Sequence, residues 1–178
     1  MCEQHKVFGL GLPRTATSTL AEALSHYDIR TIHFPFALYE EGTDAPVIQE
    51  YTAFVDTPIP LLYRRLDERW ANAKYILTTR DKDAWLESMR WLREEGGKIW
   101  QRRPAYDGYN QEFFGTTEFD EDRLSAIYDE YHAGVRSYFA GRDHDLLTLD
   151  VTDSASTKPL VDFLGIDEEP ISWPQTNE

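Results

Sequence analysis

The stretch that most constrains this chain runs from Lys6 to Leu20, Lys-Val-Phe-Gly-Leu-Gly-Leu-Pro-Arg-Thr-Ala-Thr-Ser-Thr-Leu. A short apolar run, read as a strand from Val7 to Leu12, enters a turn punctuated by glycine and proline. Hydroxyl residues then open an amphipathic helix. Amide N–H groups at a helix start have no intrahelical partners and lie at the positive end of the helix dipole, so such a turn attracts phosphate or sulfate. Arg14 adds a permanent charge with a forked donor geometry, and Thr15, Thr17, Ser18 and Thr19 add hydroxyl donors. The stretch reads as an anion-binding loop, and the chain as one that handles a phosphorylated cofactor.

Beyond that loop, apolar runs of strand length alternate with helical patterns, which implies an α/β fold with a mainly parallel sheet covered by helices. The first helix is expected over Thr17 to Tyr27, with Leu20, Ala23, Leu24 and Tyr27 on one face. Arg30 to Phe34 reads as a second strand. Ala53 to Asp56 is a further short element before Thr57-Pro58, and Pro60 falls in the first turn of a helix carrying Leu62, Leu66 and Trp70. Tyr75 to Thr79 is the clearest buried strand, and it runs through Arg80 into a helix over Asp83 to Arg93. Gly96-Gly97 breaks the pattern, and Tyr106 to Thr117 reads as loop, so a loop or lid is expected over 95–119. A long helix starts near Asp120 and ends near Gly141. Leu146 to Leu149 is the last strand, and Lys158 to Leu164 the last helix, stopped by Gly165. The tail from Pro170 to Asn177 is expected to pack through Trp173.

The 178 residues suit one domain, 1–178, and the 41% hydrophobic and 13% aromatic content argues against disorder. A net charge of −14 disfavours nucleic acid and anionic membranes as partners, so any anion site must be a local basic pocket. Cys2 is the sole cysteine, which excludes an internal disulfide, and Val7 to Leu12 is too short for a signal peptide or membrane span. A soluble, cytoplasmic protein is expected, with no metal, since no cluster of ligating residues has metal spacing.

The loop departs from the ATPase pattern G-x-x-x-x-G-K-[ST], because no lysine precedes the hydroxyl pair. Pro13, Arg14, Thr15, Ala16, Thr17 and Ser18 instead resemble the 5′-phosphosulfate loop of sulfotransferases, in which proline, a basic residue, a small residue, glycine and two hydroxyl residues follow a strand. Ala16 stands where that family usually has glycine, and Thr19 where many members have an adenine-stacking tryptophan. A second stretch, Lys74-Tyr-Ile-Leu-Thr-Thr-Arg-Asp-Lys-Asp-Ala-Trp-Leu-Glu-Ser88, resembles the family's strand, loop and helix for the 3′-phosphate, with Arg80 and Ser88 at the gripping positions. Eight helical residues span about 12 Å, so a shared phosphate requires a turn at Asp81 to Asp83. Phe54 to Tyr63, Leu146 to Val151, Pro159 to Gly165 and Trp173 to Asn177 extend the likeness over most of the chain. The C-terminal Arg-Lys-Gly motif is missing; Lys98, Arg102 and Arg103 are candidates for the lost basic contact.

The resemblance implies a three-layer α/β/α, P-loop NTPase-like sulfotransferase fold. It implies 3′-phosphoadenosine 5′-phosphosulfate (PAPS) as donor, adenosine 3′,5′-bisphosphate (PAP) as product, and in-line sulfuryl transfer to a hydroxyl or amine of a small-molecule acceptor. Arg14 would stabilise charge developing on the departing nucleotide, with Thr17 and Ser18 on the 5′-phosphate. A base is needed, and two residues qualify: His33, with a near-neutral reference pKa at a strand end, and Asp56, which could instead cap the following helix. His5, His26, His132 and His144 are expected at termini or helix surfaces. Acceptor contacts are expected from Phe34 to Glu41 and Trp100 to Phe119. A small P-loop kinase and an inactive nucleotide-binding protein are the alternatives.

Overall fold

The structure, a computed structural model, describes residues 5–95, 104–152 and 154–175. In chain order the elements are β1 (Val7–Gly9), α1 (Thr17–His26), β2 (Thr31–His33), α2 (Ala37–Glu40), α3 (Val47–Glu50), β3 (Ala53–Val55), α4 (Ile59–Arg69) and β4 (Lys74–Thr79). There follow α5 (Lys82–Glu94), α6 (Pro104–Phe113), α7 (Glu121–Tyr138), β5 (Leu146–Asp150) and α8 (Lys158–Leu164). These residues form two compact units, one up to Arg80 and from Arg142 onward, the other Asp81–Gly141.

The first unit holds a five-stranded sheet in the order β2-β3-β1-β4-β5, with every pairing parallel. Strand β1 is central and wholly buried, pairing Val7 with Ala53 of β3 on one side and Lys74 of β4 on the other. Alternate side chains point to opposite faces. On one face Val7, Ala53, Val55 and Ile76 pack under Leu20 and Leu24 of α1 and Leu160 of α8. Each such leucine, fully buried, contributes roughly 1.5–3 kcal/mol. On the other face Phe8 stacks between Phe54 and Tyr75, with ring centroids 5.7 and 5.6 Å away. Lys6 Nζ lies over the rings of Phe54 and of Trp70, which caps α4, so α4 covers this face. The sheet is thus sandwiched between helices, an α/β architecture in three layers.

Chain punctuation follows the expected chemistry. Gly165, in the left-handed region at φ 65°, ends α8. Trp173 packs against the α1/α8 core, and Tyr27 Oη and Thr157 Oγ1 both accept from the Ile171 N–H.

The second unit is helical. Trp85 and Met89 of α5 and Leu124 and Val135 of α7 are fully buried, and Trp85 lies against Tyr128 with centroids 4.9 Å apart. Asp81 and Asp120 cap α5 and α7, accepting from Ala84 N at 2.9 Å and Arg123 N at 3.1 Å. Part of the segment expected as loop is helix α6. Its rings sit at helical spacing, Tyr109 stacking on Tyr106 and on Phe113 at 6.5 and 5.6 Å, and this stack outweighs the helix-weakening Gly108. His132 is also not on a helix surface. It is buried on α7, Nδ1 lying 2.7 Å from the Tyr128 carbonyl oxygen, and burial lowers its pKa.

Candidate functional site

The parallel register delivers three chain segments to the carboxyl edge of the sheet. His33 closes β2 opposite Val55, Asp56 follows β3, and Leu10 follows β1 with its N–H on the Ile76 carbonyl at 2.7 Å. The connection after β1 leads toward β2 and that after β4 toward β5, so the strand order reverses between β1 and β4. Open α/β sheets bind ligands at such a point. The loop after β1 and Arg80 after β4 both stand there.

The loop is packed from beneath. Thr15 Oγ1 donates to the Leu12 carbonyl at 2.8 Å and lies 2.9 Å from Thr78 Oγ1 of β4, both threonines being fully buried. A Cβ at Gly11 would stand 1.9 Å from Thr78 Oγ1 and 2.6 Å from Thr15 Oγ1, so only glycine fits. Arg80 Nη1 donates to the Arg14 carbonyl at 3.2 Å, which ties the second expected phosphate grip to the first. Pro13 is buried, while Arg14, Ala16 and Ser18 are half-buried.

Backbone strain concentrates here. Among the described residues five non-glycine residues have positive φ, and four lie in turns after these strands: Arg14 (71°), Ala16 (61°), Phe34 (59°) and Asp56 (77°). Left-handed backbone costs of order 1–3 kcal/mol per residue and persists where the surroundings impose it, often at functional sites. Ala16 occupies the N-cap of α1 in this conformation, without a capping side chain, and no acidic residue stands in the first turn. A cationic loop leading into an uncapped helix start fits an anion.

His33 and Asp56 come together. His33 Nε2 is 3.2 Å from Asp56 Oδ2, and the Thr17 hydroxyl donates to the same oxygen; Asp56 Oδ1 accepts the Thr57 N–H. Thr17 Oγ1 is also 3.3 Å from His33 Nε2. Asp56 does not cap α4, whose N-cap is Pro58, after a cis Thr57–Pro58 peptide bond. Burial alone pushes the Asp56 carboxyl up, but the hydrogen bond and charge of His33, with Thr17 and Thr57, outweigh it and hold the pKa below the ordinary carboxylate value. A carboxylate accepts only, so in this hydrogen bond the proton lies on His33 Nε2. The His33 side chain is 39% exposed and that of Asp56 10%, so of the two His33 is the one presented to a ligand.

Thr19 is buried on α1. Ser88 is half-buried on α5 in the helical unit, and the turn expected after Arg80 takes the form of the Asp81 cap. Lys98, Arg102 and Arg103, and the start of the second acceptor segment at Trp100, lie outside the described residues. Sequence reasoning did not foresee the Thr17–Asp56 hydrogen bond, because it depends on the β1–β3 pairing. Among the described residues no helix is long and apolar enough to cross a membrane, and no three His, Cys, Asp or Glu side chains are grouped to hold a metal ion.

The all-parallel sheet, with the loop after β1 at its switch point, defines an α/β protein. The sulfotransferase domain family matches residues 39–178, well over half of the chain, and the chain belongs to that family. The match begins after the loop and His33, so the family likeness of those residues rests on their motif. The fold is similar to that of mouse sulfotransferase SULT7A1 in its crystal structure complexed with PAP, with a TM-score of 0.51 and 15% sequence identity. The alignment covers 94% of this chain and 61% of that one. No curated protein matches the sequence.

Proposed function

We propose that this sulfotransferase-family protein transfers a sulfuryl group from PAPS to a hydroxyl or amine of a small-molecule acceptor, in a cytoplasmic setting. The observation that carries the reading is the pairing of an uncapped, strained anion loop, tied to Arg80, with the His33–Asp56 pair on the neighbouring strand ends. The donor supplies an activated sulfuryl group on a 5′-phosphate. The α1 amides, Arg14 and Ser18 hold that phosphate, and Arg80 takes the 3′-phosphate. Arg14 offsets negative charge that grows on the bridging oxygen as the sulfur–oxygen bond breaks, an interaction stronger in the transition state than before it. His33 Nδ1 takes the proton of the acceptor as its oxygen or nitrogen attacks, and Asp56 stabilises the imidazolium that forms. Phe34 and Phe36, with rings stacked at 5.2 Å immediately after His33, give the acceptor side an apolar wall.

Calorimetric titration separates this reading from a nucleotide kinase. PAP is expected to bind and ATP-Mg²⁺ not to compete with it; ATP binding with no response to PAP overturns the proposal. Labelled sulfate transfer from PAPS to a panel of alcohols and amines then tests catalysis, and PAP binding without transfer supports the inactive nucleotide-binding alternative.

A further inference from the structure

We infer that Thr17 is a positioning residue, whose hydroxyl holds the Asp56–His33 pair in place and does not grip the phosphate of the donor. The inference rests on the proposed reading for its ligand, and corrects the role the loop motif implies for this residue. A threonine hydroxyl has one proton. The Thr17 proton goes to Asp56 Oδ2, a carboxylate oxygen that can only accept. What remains on Thr17 Oγ1 are lone pairs, and an ionised phosphate has no proton to offer them. Thr17 is buried, 1% exposed, whereas its neighbour Ser18 is half-buried. Thr17 Oγ1 also lies 3.3 Å from His33 Nε2, so one hydroxyl touches both members of the pair.

The consequence is a division of labour between adjacent residues at the start of α1. Ser18 faces the ligand, and Thr17 braces the base. Asp56, carried after β3, sets a charged group against the His33 ring, and α1 contributes the neutral Thr17. Deleting the Thr17 hydroxyl removes one donor from Oδ2 and leaves that oxygen more of its charge for the Nε2 proton. Protonated His33 is then favoured.

Two measurements on the full chain test this. By NMR titration of the His33 ring, T17V should raise its midpoint by about half a pH unit, a fraction of the worth of one lost hydrogen bond to the carboxylate, since the loss reaches the ring only through Asp56. T17S should keep the wild-type midpoint, and D56N should lower it. By calorimetry, PAP affinity should stay within about twofold in T17V and fall about tenfold in S18A, which loses a ligand hydrogen bond. T17A replaces T17V should the latter fail to fold. A midpoint that stays or falls in T17V, or an affinity loss matching that of S18A, overturns the inference. Wild-type protein that ignores PAP defeats the proposed donor instead, and the His33 titration then still decides whether Thr17 braces the pair.

Discussion

Two turns in this molecule carry out the same task, leading a buried parallel strand into a helix, and they are built in opposite ways. The turn from β1 to α1 holds Arg14 and Ala16 at positive φ, places at the N-cap a residue that cannot cap, and keeps acids out of the first helical turn. The turn from β4 to α5 has its backbone in ordinary regions, with Asp81 accepting from Ala84 N and Asp83 in the first turn. A carboxylate at a helix start satisfies the amides and neutralises the dipole, which stabilises the protein but repels an anion. A start without a carboxylate leaves the dipole unneutralised. The second turn therefore serves structure and delivers Arg80, while the first is the one that suits the proposed anion.

The largest effect expected from breaking this contrast falls on the Arg80 side. R80A should lower PAP affinity by a hundredfold or more in calorimetry, since charged hydrogen bonds of ~1.5–3 kcal/mol each are lost. Unchanged affinity would remove Arg80 from the site. Next comes the carboxylate beside the loop. The pKa of Asp56 is depressed in the folded state, so its stabilisation is complete above the unfolded value of about 3.9 and lost as pH falls through the folded one. D56N should cost about 2 kcal/mol at pH 7 in denaturant melts, with the gap from wild type closing only below about pH 4. A gap that closes already near pH 6 would contradict the sign. At the capped turn, D81A should lose about 1 kcal/mol of stability, with PAP affinity within about twofold; a larger affinity loss would erase the distinction between the turns. Smallest is A16G. Glycine relieves a left-handed cost of ~1–2 kcal/mol but adds ~0.4–1 kcal/mol of unfolded-chain entropy. A net gain of about 0.5 kcal/mol is expected, and a loss would show that Ala16 is not strained.

Much of this was legible where one local rule decides the outcome. The strand over Tyr75 to Thr79, the helix start near Asp120 and the Gly165 stop lie where composition and turn chemistry put them. The apolar run from Val7 to Leu12 yields a strand only to Gly9, because Leu10 to Leu12 already turn into the loop, although all three are buried. The four-residue helices α2 and α3 are too short for any periodicity to announce. Helix α6 did leave a signal, aromatic rings at steps of three and four, but polar residues and Gly108 masked it. His132 sits four residues after Tyr128 and three before Val135, on the buried stripe of α7, and that spacing could have placed it. At the site, the motif residues Arg14 and Arg80 were readable one by one. Their tie through the Arg14 carbonyl, and the Thr17–Asp56–His33 cluster, were not, since each joins residues far apart in sequence through strand pairing.

That pairing also bears on how the chain acquires its fold. Strand β1 is central in the sheet yet comes before every other described strand, and its two neighbours begin only at Ala53 and Lys74. Contacts of such long sequence separation must close large loops before they stabilise anything, which slows folding. During synthesis, β1 therefore emerges with both edges unpaired and apolar residues on each face. One side stays open until β3 follows and the other until β4 does, an interval in which chaperones or aggregation compete for it.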